Sequence, residues 1–396
     1  MGADAYLCDL AAQLAAVASS AEHARRRRLW DEVLALRGRR APVNFYLYEW
    51  VWARELGADL LRYERGLEAQ LERTLRFQLW RAEHLPDDWP AHPSVVVHPV
   101  RPRRSRPFPW GVELELRVPA GAGAYKPVPA LRDPADLERL VLPEYAEDAA
   151  ATDALVERAR ELTGGAVAIR LHSDELHWGP FEHAVRLRGM DQLLVDVYDR
   201  PEFVHRLMGR LTDGMVAYHR QREAAGRVCA GLGIGHVPSR DVPPPLHDRL
   251  AGCWGYLHAQ SAASYSPAMY AEFVQPYNRR LAELVGQVYY HGCEDLSRKC
   301  AIIAELPHLR LFHLSPWTPP EPVVRQLGAR VAYEVHAHPT TVIFGDDRAA
   351  IRQELARLHP AVQGVPHVWA LADVETFAGR FERTVYWAHV ARELSE

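Results

Sequence analysis

Residues 287–338 read QVYYHGCEDLSRKCAIIAELPHLRLFHLSPWTPPEPVVRQLGARVAYEVHAH, and this stretch decides the fold. Three short apolar runs, Gln287–Cys293, Leu309–Ser315 and Val331–His338, alternate with two stretches of helical periodicity. Short strands that alternate with helices are typical of βαβ units, whose strands lie parallel in one sheet. The stretch therefore predicts an α/β fold with a parallel sheet.

The same rhythm continues on both sides of this stretch. Five further apolar runs predict strands at Pro42–Tyr48, Ser94–Val100, Ala166–His172, Arg227–Ile234 and His367–Asp373. Eight strands separated by helices indicate closure into a single (β/α)₈ barrel of the TIM type, which we assign as one domain to residues 1–396. Residues 5–40 have helical periodicity, and we expect residues 1–40 to form an N-terminal helical extension outside the barrel.

Two segments depart from the rhythm. Pro102–Leu140 is rich in proline and glycine, which predicts a long irregular insertion that covers part of the barrel mouth. Gly235–Asp248 predicts a second irregular segment after the fourth strand. The glycines at 231, 233 and 235 lack the spacing of a dinucleotide-binding loop, so we assign no nucleotide to them.

Composition excludes several classes of protein. The chain has 396 residues, 48% of them hydrophobic and 25% charged, which is typical of a soluble globular protein. A formal net charge of −4 argues against a nucleic-acid partner. No stretch approaches the roughly 20 apolar residues that cross a bilayer, and the N-terminus is not a signal peptide. Five cysteines without a secretory signal predict reduced thiols in the cytoplasm.

Polar side chains lie at the C-terminal ends of the predicted strands, which is where a barrel of this type carries its catalytic groups. We predict four catalytic groups, His172, Asp174, Glu294 and Glu334. We predict six substrate-binding residues, Asn44, Tyr46, Tyr48, Arg170, His258 and Gln260. The tyrosines have core packing as their alternative role, and His258 and Gln260 have loop or capping hydrogen bonds as theirs.

Residue types and parity also predict a metal site. His291 and Cys293 are two residues apart at a strand end, so they project together, and His336 and His338 share one face of the seventh strand. Imidazole and thiolate are ligands that suit zinc, with one coordination position left open for catalysis. The alternative for the first pair is a structural histidine beside an inert buried thiol.

Four segments carry a resemblance to a known family. They are WGPFEHAVRLRGMDQLLVDVYDRPEFVHRLM (residues 178–208), SPAMYAEFVQPYNRRL (266–281), YYHGCEDL (289–296) and LRLFHLSPW (309–317). Together they resemble the uroporphyrinogen decarboxylase superfamily of barrels, which also contains zinc-dependent methyltransferases acting on methylcobamides and thiols. The last two segments are similar to an uncharacterised branch with Y-G-C-C-E-P-L and I-S-V-S-P-W motifs.

Departures from the family patterns restrict what the resemblance implies. The arginine-rich R-Q-A-G-R signature of the decarboxylases is replaced by NFYLYEWVWAREL with only Arg54, which argues against a porphyrinogen substrate. His291 and Cys293 match the methyltransferase H-x-C ligands. The family's third cysteine has no counterpart, since no cysteine follows Cys300. Candidates for the third ligand in place of this cysteine are Asp373, Glu334, His336 and His338. At the positions of His336 and His338 the uncharacterised branch has a Lys and an Asn.

Three functional hypotheses follow. The first is a metal-dependent transferase that moves a methyl or small alkyl group to or from a thiol, corrinoid or small-molecule acceptor, with zinc and a corrinoid as candidate cofactors. The second is a metal-free lyase, such as a decarboxylase of a small or aromatic acid. In it His172, His336 and His338 act as acid and base, and Arg170 holds a carboxylate. The third is a corrinoid- or metallophore-binding protein. Expected partners are a small-molecule substrate, a corrinoid protein and a second copy in a homodimer.

Overall fold

Parallel strands make up most of the sheet structure in the computed structural model, which describes residues 4–38, 40–117, 126–173, 176 and 179–395. The strands are β1 (Val43–Phe45), β2 (Ser94–Val97), β3 (Leu116–Arg117), β4 (Lys126–Pro127), β5 (Ala168–Leu171), β6 (Trp254–His258), β7 (Gln287–His291), β8 (Leu309–Leu314), β9 (Ala332–His336) and β10 (His367–Leu371). Six of them form a parallel sheet in the order β1-β10-β9-β8-β7-β6. A separate parallel pair joins β2 to β5, and β3 and β4 form an antiparallel hairpin.

Helices connect most of these strands. The α-helices are α1 (Ala5–Ala18), α2 (Ala21–Leu34), α3 (Glu49–Glu55), α4 (Gly66–His84), α5 (Ala149–Leu162), α6 (Pro180–Arg188), α7 (Met190–Asp199), α8 (Pro201–Ala224), α9 (Pro267–Phe273), α10 (Gln275–Ala282), α11 (Cys300–Ile303), α12 (Pro320–Leu327), α13 (Pro339–Phe344), α14 (Arg348–Val362) and α15 (Phe381–Glu393). Short 3₁₀ helices occupy Ala58–Leu60, Pro134–Arg139, Pro244–Leu246, Leu250–Gly252, Gln260–Ala262 and Gly328–Arg330. Along the described part of the chain, no helix is both long and apolar enough to span a membrane.

Local sequence sets where several helices begin. The Asp148 carboxylate accepts the Ala151 N–H at the start of α5. The Ser266 hydroxyl accepts the Met269 N–H at the start of α9, where Pro267 occupies the first turn and needs no N–H partner. Each cap satisfies a backbone donor that has no partner inside the helix.

Seven of the eight predicted strands are confirmed, and the fourth is wrong. Arg227–Ile234 turns instead of extending, because Gly231 adopts a φ of +70° and exchanges hydrogen bonds with the backbones of Gly252 and Arg240. The strand at this place in the order is β6, a segment that the sequence pattern did not indicate. The strand pairs of the described residues do not join β1 to β2 or β5 to β6, so they do not by themselves close the predicted barrel.

Alternation along the strands divides the core. Tyr290, Phe312 and Tyr333 are fully buried in the large core that the sheet forms with the surrounding helices. Their strand neighbours Tyr289 and Leu311 point to the opposite face, into a smaller core that contains Trp30 and Val33 of α2. The chemistry-bearing side chains lie on this second face.

The N-terminal extension consists of two helices with different neighbours. Helix α1 packs against α4 and α5 in a separate apolar cluster with Val95 and Val97 of β2. Helix α2 instead supplies Trp30, Val33 and Leu34 to the core on the second sheet face. The expectation of helices outside the sheet thus describes α1, whereas α2 covers the sheet face that carries the site.

The long insertion is less irregular than predicted. It contains the β3–β4 hairpin and the 3₁₀ helix Pro134–Arg139. Trp110 is fully buried, with its indole Nε1 3.2 Å from His183 Nδ1 of α6. Gly214 of α8 allows this packing, because a Cβ there would lie 2.9 Å from the Trp110 ring. The described part of the insertion therefore packs on the helix layer.

Candidate functional site

Three adjacent parallel strands bring a cluster of polar side chains together. Tyr289 and His291 lie on β7, His313 on β8, and Glu334 and His336 on β9, all on the sheet face that α2 covers farther along. Parallel pairing places His313 opposite Glu334. Because side chains two residues apart share a face, each of these strands contributes its last inward residues to one cluster.

The first group in this cluster is His291, Cys293 and His313. One ligand atom from each lies within 4.8 Å of the others. The Cys293 Sγ is 3.8 Å from His291 Nε2, and the rings of His291 and His313 have centroids 4.2 Å apart. Zinc bonds of 2.0–2.3 Å in a tetrahedral arrangement place such ligand atoms about 3.6 Å apart, so the donor set and its spacing fit this ion.

The second group surrounds the fully buried carboxylate of Glu334. His236 Nδ1 lies 2.9 Å from Oε1, and His336 Nε2 lies 2.8 Å from Oε2. His313 Nδ1 is 3.3 Å from Oε2, and the Tyr289 hydroxyl donates to the same oxygen. The residues His236, Glu334 and His336 also satisfy the spacing of a metal site. Unlike the first group, however, they already satisfy one another with hydrogen bonds.

The carboxylate also sets the imidazole tautomers. An ionised Glu334 can only accept, so each histidine that contacts it donates an N–H. His313 then carries its proton on Nδ1 and keeps the lone pair on Nε2. This carboxylate–histidine arrangement orients metal-binding imidazoles in many proteins. Glu334 thereby connects the two groups, because His313 belongs to the first by its position and to the second by its hydrogen bond.

Burial keeps the imidazoles of His291 and His313 neutral, because it lowers the pKa of each. It lowers the pKa of His313 to about 3, with a further contribution from nearby His336. Burial also holds the pKa of His291 well below its usual value, and His313 and His236 add to the effect. Although burial alone would raise the pKa of Glu334, the surrounding histidines lower it well below the usual value. Neutral imidazoles beside an ionised carboxylate are in the protonation state that metal binding requires.

The environment of Cys293 favours the thiol over the thiolate. Burial, followed by the charges of Asp373, Glu294 and Glu334, raises its pKa to about 12. Reactive cysteines lie in electropositive surroundings, so Cys293 does not have the environment of an independent nucleophile. A cation at the His291–Cys293–His313 group would reverse this balance.

Glu294 is a second buried carboxyl group beside this cluster. It is 8% exposed, and neither oxygen has a hydrogen-bond partner among the residues that the structure describes. Burial raises its pKa to about 7. The nearby Lys299 ammonium donates to the carbonyls of Ala262 and Ala263. Glu294 is therefore poised to exchange a proton near neutral pH.

Aromatic rings extend from the cluster towards the surface. Tyr46 lies 4.6 Å from His236 and 5.1 Å from Tyr48 between ring centroids, and Tyr256 stacks on His291 at 5.3 Å. The Tyr48 hydroxyl donates to Asp373 Oδ1 over 3.1 Å. Of the predicted substrate-binding residues, Tyr46 and Tyr48 thus belong to this series of rings.

The other predicted residues lie in different surroundings. His258, at the end of β6, lies 6.4 Å from His291 between ring centroids, at the edge of the cluster. Asn44 is fully buried, accepts from Arg81 and contacts the His236 carbonyl, which is a structural role. Arg170 is engaged by Cys229 and by the carbonyl of Ala230.

Three further predicted residues, His172, Gln260 and His338, do not join the metal-binding groups. The His172 ring lies beside His98, with centroids 6.5 Å apart, and Gln260 is exposed. The His338 ring packs against Trp317, and its backbone N–H donates to Glu354. Asp174 lies outside the described residues.

Sequence reasoning missed His236, His313 and Tyr289 as site residues. His236 lies in the segment predicted to be irregular, where no periodicity indicates its direction. A signal was present in the preceding glycines: Gly235 adopts a φ of +80°, and a Cβ there would lie 2.5 Å from the Tyr46 ring. Only glycine allows such a close approach. It brings the loop, with His236, against the ring of Tyr46.

Comparisons with known proteins bear on the fold. No family model matches the chain, and no curated protein is significantly similar in sequence. The chain is similar in fold to a methyltransferase from Methanosarcina mazei. That structure superimposes with a TM-score of 0.54 over 93% of this chain and 98% of its own length, at 14% sequence identity. The similarity at this identity concerns the arrangement of helices and parallel strands.

Proposed function

We propose that the chain is a metal-dependent transferase that moves a methyl or other small alkyl group to or from a thiol or related acceptor. The observation that carries the proposal is the buried group of His291, Cys293 and His313, whose ligand atoms lie within 4.8 Å of one another. The similarity in fold to a protein described as a methyltransferase supports the choice of reaction. Closure of the eight parallel strands into a TIM-type barrel, with the β2–β5 pair between β1 and β6, is part of the proposal.

Each residue of the site has a defined part. His291, Cys293 and His313 are the proposed ligands of zinc, which when bound would lower the pKa of a substrate thiol. His313 takes the place that the resemblance left without a cysteine. Glu334 and Tyr289 hold the His313 ring. Glu294, with a pKa of about 7, is the proposed acceptor of the proton that the substrate thiol loses.

The lyase hypothesis lacks a comparable arrangement. It requires Arg170 to hold a carboxylate, whereas that guanidinium is engaged with Cys229 and Ala230. It also requires His172 and His338 to act together with His336. Their rings pack instead against His98 and Trp317 respectively. No observation favours this alternative over the transferase.

Metal analysis with a matched pair of cysteine variants tests the proposal. We expect close to one equivalent of zinc in the protein as purified, and loss of most of it in Cys293→Ala with an unchanged circular dichroism spectrum. Cys300→Ala is the control, because Cys300 is also a free cysteine but bonds to Ser297 and Gln326. Equal zinc contents in the two variants, or less than a tenth of an equivalent in the parent protein, would contradict the proposal.

A further inference from the structure

A continuous series of aromatic rings, called the approach below, connects the candidate metal group with the surface. From His236, which lies 5.5 Å from His291 between ring centroids, the series continues to Tyr46 at 4.6 Å, to Tyr48 at 5.1 Å and to Trp50 at 5.9 Å. Trp50 is 49% exposed, so the series runs from the buried cluster to solvent. Tyr46 and Tyr48 follow β1 in the chain, and Trp50 lies in α3.

Carboxylates accompany these rings. Asp373 contacts the Tyr48 hydroxyl at 3.1 Å, and Glu334 contacts His236 at 2.9 Å. Asp373 is exposed, is separated from the end of β10 by Ala372 and adopts a φ of +59°. Within the described residues, no lysine or arginine forms an ion pair with either carboxylate. The approach therefore combines electron-rich ring faces with the carboxylate of Asp373, which pairs with no lysine or arginine among the described residues.

The neighbouring ionisable groups give a consistent picture. After burial, the main contributions that raise the pKa of Tyr48 come from Asp373 and Tyr46. The pKa of Tyr46 is raised by burial and then by Asp373 and Glu334. Each of these neighbours is acidic. An anionic substrate headgroup would meet repulsion here, because a desolvated charge requires a partner of opposite sign.

The outer end of the series already holds a cation. The Arg54 guanidinium lies over the Trp50 ring, 4.9 Å from its centroid. Its donors are engaged by Glu55 and the carbonyl of Glu375. The contact shows that a ring of this series accepts a positive charge on its face, whereas Tyr46 and Tyr48, farther inside, have no such side chain over them among the described residues.

We propose that the approach formed by Tyr46, Tyr48 and Asp373 binds a small methylated cation of the quaternary ammonium type, which acts as the methyl donor. Aromatic faces together with a carboxylate recognise such cations through cation–π attraction and charge. The inference rests on the proposed function, because it names the donor for that transfer. The thiolate sulfur would attack a methyl carbon, and the C–N bond would break with its electron pair remaining on nitrogen. A cation and a thiolate thereby become a neutral amine and a thioether.

Calorimetric binding with two probes of equal shape tests the inference. Choline carries the trimethylammonium group, and 3,3-dimethylbutan-1-ol replaces its nitrogen by carbon. We expect choline to bind at least about tenfold more tightly, since a partly desolvated cation–π contact is worth about 1–2 kcal/mol and 1.4 kcal/mol corresponds to a factor of ten. Equal affinity for both probes, no binding of choline at millimolar concentration, or tighter binding of ethanesulfonate would overturn the inference.

Two variants assign the binding to this approach. Asp373→Asn keeps the shape and the left-handed backbone, which Asn also tolerates, and should weaken choline about fivefold or more. The control is Glu321→Gln, an exposed carboxylate in the first turn of α12, which should leave the affinity unchanged. Equal effects of the two substitutions would contradict the assignment. Zinc measured in the same samples separates the two proposals: zinc without choline binding refutes only the cation site, and choline binding without zinc refutes only the metal-dependent transfer.

Discussion

The two candidate metal-binding groups of this protein contain similar side chains, but they differ in how many of their polar atoms are hydrogen-bonded. His236, Glu334 and His336 are linked by hydrogen bonds of 2.8–2.9 Å around one carboxylate. His291 and Cys293, by contrast, meet only over 3.8 Å, and no described group bonds to the buried Nδ1 of His291. Buried polar atoms without a hydrogen bond cost free energy. An ion therefore stabilises a group whose ligand atoms lack partners more than it stabilises a group whose members already bond to one another. The comparison favours the first group as the place of the proposed ion and the second group as the support that positions His313.

The largest expected effect separates the groups directly. His313→Ala removes a ligand and should lower zinc affinity by more than about 100-fold, because losing even an outer partner of a ligand costs 10- to 100-fold. His236→Ala removes a hydrogen bond to Glu334 but no proposed ligand, so zinc affinity should fall by no more than about 10- to 100-fold. Competition with a chromophoric chelator measures both. A greater loss in His236→Ala would place the ion in the second group.

Glu334→Gln tests the connection between the groups. The amide keeps the shape but cannot accept from four donors, so His313 loses its fixed tautomer. We expect zinc affinity to fall about 10- to 100-fold and the free energy of unfolding to fall by about 1–3 kcal/mol. Chelator competition and urea denaturation measure the two quantities. If stability falls while zinc affinity stays constant, Glu334 is purely structural.

The pH dependence of stability sharpens the comparison further. His313 has a folded-state pKa of about 3, below the unfolded value near 6.5, so the unfolded chain binds its proton first as pH falls. Stability of the metal-free protein should therefore decrease on acidification between about pH 6.5 and 3, by at most about 1.4 kcal/mol per pH unit for this residue. The ionised Glu334 also loses its contribution in acid, at pH values below its usual pKa.

Urea denaturation at pH 7 and pH 5 measures this dependence, with His313→Gln as the comparison. The variant should lose less stability than the parent between the two pH values. Other buried histidines contribute equally to both proteins: His367, for example, has a pKa lowered to about 4 by burial. Identical slopes for the variant and the parent would show that His313 is not neutral in the folded chain.

The smallest expected effect belongs to Tyr289. Its hydroxyl contacts His313 Nδ1 at 2.9 Å and donates to Glu334. Tyr289→Phe keeps the ring and should cost about 1 kcal/mol of stability, the usual net value of one hydrogen bond. Zinc affinity should fall less than in Glu334→Gln. Tyr270→Phe is a control at another buried tyrosine, whose hydroxyl bonds to Tyr290 on the opposite sheet face.

Periodicity predicted much of the fold and part of the site. Seven strands are where the apolar patterns indicated. The H-x-C spacing at 291–293 correctly indicated two side chains that project together. The pattern failed at Arg227–Ile234, since an apolar composition does not reveal that Gly231 turns the chain. It also missed β6, whose inward side chains are large and aromatic and give no simple alternation of polar and apolar residues.

The sequence by itself determined which side chains share a face, because alternation along a strand is a local property of the backbone. It thereby specified His291 with Cys293, and Glu334 with His336. Only the tertiary structure decided which of these faces meet. The register of β8 against β9 places His313 beside Glu334. A loop that is distant from both strands in the sequence places His236 against the same carboxylate. Such contacts depend on strand pairing and loop packing between distant segments, which no local pattern encodes.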